Sequence, residues 1–388
     1  MKLLYLSTSA ILLFLFTNTV HALTLSEAVN AQLESISVPC ENFLNAGGEA
    51  TGGLAVICSR FAPANSPTQA STGSSANLSA LSSTTEINKH QQLHEETQLA
   101  PQWTLFITGE KQTLNHDVTA AEDGYNSTAL RLLGGVTYAW DAKTNFGLAV
   151  SRQSHKGDYN SGGDFDAQAK GMRITGSRQL TDAWFIQAAA GYDWVGTQRS
   201  RSARFEEYLS GILSLSAQGT PSADFNYHQS EVALLTGYEF VFNNISVLPQ
   251  LGLTWLNIDY GKYSETGNSG LELTYYNDKR QSIQSSIGVQ ATMTHGTAYG
   301  VLIPELAFHL INEYADKSRE VHVSFTHDSA ATQFSFDTEA GDRSYAEVAA
   351  GLSMVLAHGK QLFIRAQTQI NHDHYNSRTL NLGINLEL

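Results

Sequence analysis

The sequence predicts an all-β protein whose strands close into a barrel, with lipid outside and water inside. Three observations support this prediction. Apolar and polar residues alternate along much of the chain, as in strands with one apolar and one polar face. The chain begins with a stretch that has the form of an export signal. The connections between the predicted strands are sorted by length, short at one end and long at the other.

The alternation is clearest at the end of the chain. From Leu380 to Leu388 every even position is apolar, and every odd position is polar or glycine. A soluble edge strand could have the same sequence, but here the pattern recurs upstream as far as Gln102. The recurrence favours a large sheet with two different faces.

Twelve segments with a period of two are predicted as strands. They are 102–112, 127–140, 144–154, 165–179, 183–197, 223–241, 245–260, 276–294, 298–312, 343–356, 361–370 and 377–388, of which the fourth alternates least clearly. An even number lets an antiparallel sheet close with both of its ends on one side. Closure removes the unpaired edges that lipid would not tolerate.

The connections indicate where such a sheet resides. Those at one end, 141–143, 180–182, 242–244, 295–297 and 357–360, are short, whereas all those at the other end are expected to be longer, up to 312–342. Outer-membrane barrels have short periplasmic turns and long outer loops, whereas a soluble sandwich has no reason to sort its loops. We therefore expect a 12-stranded antiparallel transmembrane β-barrel over 101–388, in the outer membrane of a Gram-negative bacterium.

The two faces of the strands predict two environments. Arg131, Asp193, Glu347 and Arg365 fall on inner faces and are expected to line a wet lumen. Aromatic residues near strand ends are expected to form the girdles at the membrane interfaces, with ordinary core packing as the alternative. They are Trp140, Trp194, Tyr238, Phe240, Trp255 and Tyr260.

Composition agrees with such a barrel. Charged residues make up 15% of the chain, which has 31 Gly, 16 Tyr and 17 Phe; soluble domains usually contain about 25% charged residues. The net charge of −14 argues against nucleic acid as a partner, because binding phosphates needs a basic surface. No long apolar run follows Ala22 and the mean hydropathy is −0.21, so no helical membrane span is expected.

The N-terminal part divides into four segments. Residues 1–22 have the form of a signal peptide for Sec export, cleaved between Ala22 and Leu23; an uncleaved anchor is the alternative, although the apolar run is shorter than the ~20 residues of a spanning helix. Residues 23–61 form a small segment with an expected Cys40–Cys58 disulfide, the alternatives being a metal site or free thiols.

Residues 62–83 are a Ser/Ala/Thr-rich linker. Residues 84–100 are a predicted helix with little apolar surface, which suits a barrel lumen.

The sequence offers few candidates for chemistry. His372 and His374 could bind a metal weakly, but two imidazoles without further placed ligands are more often solvated. Acids and histidines on the outer loops would form a protease site only if they converged across the barrel mouth. These residues are His116, Asp117, His155, Asp158, His327 and Asp328. We expect no enzyme activity, metal or cofactor.

A basic cluster lies in the third long loop. Arg199, Arg201 and Arg204 could meet the phosphates of lipopolysaccharide, or they could belong to a solvated loop. Outer-membrane lipid and lipopolysaccharide are the expected surroundings of the barrel, which we expect to be a monomer.

From about Trp103 to Leu388 the chain resembles the autotransporter β-domain, the translocator of type V secretion. The matching pieces are Gly124-Tyr125, Asp164-Phe165-Asp166, Gly191-Tyr192-Asp193-Trp194, Tyr263-Ser264-Glu265-Thr266-Gly267, and the pair Leu248-Pro249-Gln250-Leu251 and Ile303-Pro304-Glu305-Leu306. The resemblance implies a barrel with a helix through its pore. It also implies that the protein passes its own N-terminal segment to the cell surface.

The same resemblance implies assembly by the barrel-assembly machinery, which would read Ile384, Leu386 and Leu388. Two features depart from the family. The chain ends in leucine where the family commonly ends in Phe or Trp, and only 23–83 is available as a passenger. A non-secreting barrel with a structural or adhesive role through its outer loops is therefore the alternative, and an outer-membrane enzyme is the third hypothesis.

Overall fold

A computed structural model describes residues 69–71, 103–119, 123–209, 212–315, 318–338, 342–357 and 359–388. These residues form strands, turns and loops. No helix among them is long and apolar enough to cross a membrane. The signal peptide, the Cys40–Cys58 disulfide and the helix over 84–100 lie outside the described residues, so they stay predictions.

Twelve antiparallel strands form a closed barrel. They are β1 (Trp103–His116), β2 (Tyr125–Asp141), β3 (Thr144–Tyr159), β4 (Asp164–Gln179), β5 (Trp184–Ser200), β6 (Ser222–Tyr238), β7 (Ile245–Ser264), β8 (Leu273–Met293), β9 (Gly300–Glu313), β10 (Ser344–Leu356), β11 (Lys360–Ile370) and β12 (Tyr375–Glu387). Each strand pairs with the next along the chain, and β12 closes the sheet on β1, with Asn381 opposite Glu110. The predicted fold class, strand number and strand order are confirmed, including the weakly alternating fourth strand.

The apolar faces of the strands point outward. On β12, Leu380 and Leu382 are 40% and 50% exposed, whereas Asn381 between them is 3% exposed. On β5, Ile186 is exposed and Gln187 is buried. A belt of exposed apolar side chains around a closed sheet is the surface that hydrocarbon requires.

The predicted aromatic girdle is found in part. Trp140, Trp194, Tyr238 and Phe240 are exposed on the outside. Tyr260 was predicted to join them, and this was wrong: it is buried inside the barrel, with its ring 5.0 Å from that of Tyr227. Even-numbered residues face inward on this part of β7, so the parity of the strand decides the position of Tyr260.

Tight turns occupy one end of the barrel, which we call the turn rim. They fall at 142–143, 180–183, 243–244 and 298–299, and at the connection between β10 and β11. At the other end, the loop rim, the prediction that every connection is longer was wrong. Residues 160–163 and 371–374 form short connections there, because β3 and β4 stay paired up to Asp158 and Asp164, and β12 begins at Tyr375.

Three connections pack together above the loop rim, namely those between β5 and β6, between β7 and β8, and between β9 and β10, and we call this assembly the loop cap. The connection between β5 and β6 carries a hairpin (Ala203–Leu209 and Ile212–Gly219). The connection between β9 and β10 carries another (Glu320–Phe325 and Phe334–Asp337), whose first strand also pairs with the start of β8. The cap has its own core of Ala203, Ala217, Leu271, Leu273, Tyr275, Val321, Val323, Phe325 and Phe334.

Candidate functional site

The lumen is lined by charged side chains that lie on the inner faces of the strands. Arg131, Asp193 and Arg365 are buried there, and Glu347 lies on the inner face of β10 and is partly exposed. Gln369 donates a hydrogen bond to Glu347 across 3.3 Å. The structure therefore places all four sequence-predicted residues on the polar side of the sheet, although on separate parts of the wall.

One group of charges spans β4, β5 and β6. Arg173 Nη2 lies 3.0 Å from Asp193 Oδ2 and 3.9 Å from Glu231 Oε2. In the pairing register Gly191 stands between Arg173 and Glu231, so the arginine lies across a position without a side chain. A Cβ at Gly191 would be 3.1 Å from Arg173 Cγ. The glycine lets the arginine lie flat against the wall.

The glycine next to Asp193 is more tightly constrained. A Cβ at Gly171, the residue paired with Asp193, would lie 1.8 Å from Asp193 Oδ1, which is far below contact distance. The carboxylate therefore occupies space that any other residue at this position would fill. Gly171 holds open the place in which Asp193 meets Arg173.

A second group, with the order reversed to Glu-Gly-Arg, spans β9, β10 and β11. Arg365 forms an ion pair with Glu305, and Gly351 lies between them in the register. Both charged side chains are nearly inaccessible. The two Arg-Gly-Glu rows are centred on β5 and β10, on nearly opposite walls, because the closed sheet has twelve strands.

Sequence reasoning missed the roles of five residues in these rows: Arg173, Glu231, Glu305, Gly191 and Gly351. Alternation can assign each residue to the inner face, but only the register shows that opposite charges flank a glycine. Buried ion pairs contribute little net stability, since desolvation offsets their attraction. Here each pair neutralises charge on the inner face of the barrel sheet.

At the loop rim Glu265 is held by two arginines. Its carboxylate lies 2.8 Å from Arg201 Nη2 and 3.3 Å from Arg199 Nη2, and the N–H of Leu273 donates to it across 2.9 Å. All three charged side chains are buried. Neither sequence reading of Arg199 and Arg201 holds, since they form neither a solvated loop nor a surface open to lipopolysaccharide; Arg204 is exposed.

Burial alone would raise the pKa of Glu265, and this is the largest influence on it. The hydrogen bonds and charge of Arg201, the charge of Arg199 and the hydrogen bond from Leu273 N–H together outweigh burial, so the pKa lies below its ordinary value. Glu265 is therefore ionised at neutral pH and joins the β7–β8 connection to the β5–β6 connection.

The residues considered for a protease site do not form one constellation. His116 and His155 are buried on inner faces, while Asp117 and Asp158 are exposed. His116 lies against the ring of Tyr375, with centroids 4.4 Å apart, and His155 bonds to Ser127 Oγ at 3.0 Å. In the loop cap, His327 meets Glu272 at 3.3 Å, whereas Asp328 accepts backbone N–H groups of its own turn.

A second histidine, at the loop rim, also meets an acid. His372 Nδ1 contacts the carboxylate of Asp342, which also accepts the N–H of Asp373 across 2.6 Å. Burial, the largest influence, lowers the pKa of His372, and the charge of Asp342 opposes it. In the described part of the chain, which includes His372 and His374, no three His, Cys, Asp or Glu residues converge as metal ligands.

A short strand of the N-terminal linker also lies at the loop rim. Gln69–Ser71 pairs antiparallel with Ala203–Leu209, the first strand of the cap hairpin, with Ala70 opposite Phe205. The three strands form a small sheet of their own. By contrast, Trp103 begins β1 at the turn rim, where its carbonyl accepts the N–H of Leu388.

Residues 105–367 match the sequence model of a family described as the autotransporter beta-domain. The chain belongs to the autotransporter β-domain family. Membership places this barrel in the outer membrane of Gram-negative bacteria, within type V secretion, and the family is a transport domain rather than an enzyme. No curated protein matches the chain.

Two solved structures share the fold of this autotransporter β-domain. The translocator domain of the autotransporter NalP from Neisseria meningitidis has 10% identity and a TM-score of 0.57, over 78% of this chain and 93% of that one. The beta domain of the Bordetella autotransporter BrkA has 13% identity and a TM-score of 0.54, over 74% of this chain and 99% of that one. At such identities the likeness concerns the barrel and not its individual lumen residues.

Proposed function

We propose that the protein is an autotransporter-type translocator that carries its own short N-terminal segment through its lumen to the cell surface. The observation that supports this most directly is the position of the linker. Gln69–Ser71 pairs with a strand of the loop cap, whereas Trp103 lies at the turn rim. Residues 72–102 therefore have to connect one end of the barrel to the other.

The two rims give the connection its direction. Outer-membrane barrels keep tight turns in the periplasm and long loops outside. The turn rim is then periplasmic, and the loop cap with Gln69–Ser71 stands on the cell surface. The N-terminal segment, which precedes Gln69, is on the outer side in this arrangement.

The lumen is the route that chemistry favours. A chain passing outside the closed sheet would bring its polar backbone into hydrocarbon, where unpaired groups cost several kcal/mol each. Residues 84–100 are also rich in polar side chains, among them Glu86, Lys89, Glu95 and Glu96. The two Arg-Gly-Glu rows give the inner face of the sheet a polar character that suits such a segment.

Assembly of the barrel supplies the driving force in this proposal, because the periplasm provides no nucleotide. The outward residues of β12, continued by Leu388, would be read by the barrel-assembly machinery after Sec export. Ile384 and Leu386 continue the outer face of Leu380 and Leu382. The cleavage at Ala22 and Leu23 belongs to the same proposed route.

Surface labelling tests the proposal. In a background with Cys40→Ala and Cys58→Ala, Ser66→Cys places a thiol just before the docked strand. Tyr299→Cys is the matched control, because Tyr299 is 81% exposed on a tight turn of the turn rim. A membrane-impermeant maleimide should label Ser66→Cys on intact cells, and Tyr299→Cys only after lysis.

The opposite result at residue 66 would overturn the proposal. If Ser66→Cys is protected on intact cells as fully as Tyr299→Cys, the N-terminal segment stays in the periplasm. The second candidate function would then remain, a barrel that acts through its outer loops. The loop cap favours that candidate, because its own apolar core makes it a built surface rather than a set of loose loops.

A further inference from the structure

We propose that the strand Ala203–Leu209 is a docking strand, which captures the exported linker by strand addition and fastens the N-terminal segment to the cell surface. The inference rests on the proposed function, since it needs the linker to be outside. It adds a site and a partner: an edge of the loop cap, and residues around Gln69–Ser71 of the same chain.

The pairing has a defined register. Gln69 lies opposite Glu206, Ala70 opposite Phe205, and Ser71 opposite Arg204, in an antiparallel ladder. On its other side the docking strand pairs with Ile212–Gly219 over its whole length. It therefore has one satisfied edge and one that is open to a further strand, which is the usual template for strand addition.

The docking strand is held in place before any linker arrives. Ala203 and Ala217, at the base of the hairpin, are buried in the core of the loop cap. Two residues before the hairpin, Arg201 forms the bidentate contact with Glu265. A docking strand that is fixed in this way loses little conformational freedom when the linker binds. More of the hydrogen-bond energy therefore contributes to the free energy of binding.

The linker sequence suits this mode of binding and limits its length. Strand addition uses main-chain hydrogen bonds, so a Ser/Ala/Thr-rich segment without large side chains can take part. Pro67, two residues before Gln69 in the sequence, has no N–H to donate and so limits the ladder in that direction. On the other side the pairing reaches Arg204, next to the start of the docking strand at Ala203. The described ladder thus spans Gln69–Ser71.

So short a ladder holds the segment without burying it. The small N-terminal segment before Pro67 would stay outside and attached, close to the loop cap. A local anchor gives this segment a fixed position at the surface.

Cross-linking tests the register. With Cys40→Ala and Cys58→Ala as background, Ala70→Cys is combined with Phe205→Cys, its direct partner, or with Leu209→Cys on the same strand. Directly opposed Cβ atoms lie about 4.5–5.5 Å apart, close to disulfide geometry. Four residues along a strand add about 13 Å. Oxidation of intact cells should cross-link the Phe205→Cys pair several-fold more than the Leu209→Cys pair.

The labelling of Ser66→Cys separates the two proposals. If Ser66→Cys is labelled but the two cysteine pairs cross-link equally, or not at all, the docking-strand proposal is refuted. The translocation proposal is then retained. Protection of Ser66→Cys overturns translocation itself, and the docking strand with it. Heat-modifiable gel migration reports whether each variant barrel is folded. If Phe205→Cys prevents folding, Ser71→Cys with Arg204→Cys is the neighbouring pair of the same register and must cross-link for the inference to stand.

Discussion

Arg201 donates two parallel hydrogen bonds to Glu265, from Nε to Oε1 and from Nη2 to Oε2, each 2.8 Å long. Arg201 is 4% exposed and Glu265 is 1% exposed. A third bond runs from Arg201 Nη2 to the carbonyl of Leu271, across 2.8 Å. This contact joins the β5–β6 connection to the β7–β8 connection, and both connections belong to the loop cap.

Replacing Glu265 with glutamine should loosen the loop cap while the barrel stays closed. The change leaves Arg199 and Arg201 buried without a counter-charge, a loss that typically costs about 3–5 kcal/mol. We expect proteolysis of the outer loops on intact cells to accelerate strongly, with unchanged heat-modifiable migration. Asp182→Asn is the control, because it removes the same charge from an exposed pair with Lys143 on the turn rim. Equal protease resistance of the two variants would show that the contact does not hold the cap.

Acid should have the same effect as that substitution. The pKa of Glu265 lies below its usual value of 4.5, so its contribution to stability is complete above about pH 4.5. It is lost as the pH falls through the lower pKa of the folded state. The loops of the wild-type protein should become protease-sensitive in this range. Those of Glu265→Gln should lack this acid step, and a parallel pH profile of the two proteins would refute the assignment.

Gly171→Ala should destabilise the barrel, whereas Gly351→Ala should be tolerated. A Cβ at Gly171 would collide with Asp193 Oδ1 and displace it from Arg173, breaking a buried pair at a cost of about 3 kcal/mol. A Cβ at Gly351 meets its nearest atom, the carbonyl oxygen of Ile364, at 3.4 Å, an ordinary contact. The temperature at which the folded band is lost on gels should fall for the first variant only. A fall of similar size for both would mean that the inner wall tolerates no side chain at either glycine.

Leu382→Lys should impair assembly far more than Asn381→Lys. The two residues are neighbours on β12, but Leu382 is exposed toward lipid and Asn381 is buried on the inner face. A lysine on the lipid face costs about 2–4 kcal/mol near the bilayer midplane. The fraction of heat-modifiable protein in outer-membrane preparations measures the difference. Equal fractions would contradict the assignment of faces on the last strand.

The sequence carried most of the information on the strands where they cross lipid. There one face must be apolar and the other can be polar, so alternation is enforced and parity is readable, as at Leu382 and Asn381. Above the membrane this constraint ends. Lys156 and Asp158 face outward with polar neighbours on both sides, although Asp158 is still paired with Asp164 in the ladder. For this reason the strands were predicted too short at the loop rim.

The contacts of the site could not be read in the same way. Arg201 and Glu265 are 64 residues apart in the chain, and nothing local marks them as partners. The Arg173 row depends on a register across three strands, which alternation leaves undetermined to within two residues. The error at Tyr260 is of another kind. Its position near a strand end predicted a place in the aromatic girdle, but its even-numbered position on β7 turns its side chain into the barrel.

The two cap hairpins both rise from one half of the circumference, between β5 and β10, whereas the connections 160–163 and 371–374 on the other half are short. Seen from above, the molecule is therefore lopsided. In a crowded bilayer a neighbouring protein can come close on the side of β3, β4, β11 and β12, but it meets an obstacle on the side of the hairpins. The N-terminal segment, paired with a hairpin on this half, would keep a fixed orientation relative to such neighbouring proteins.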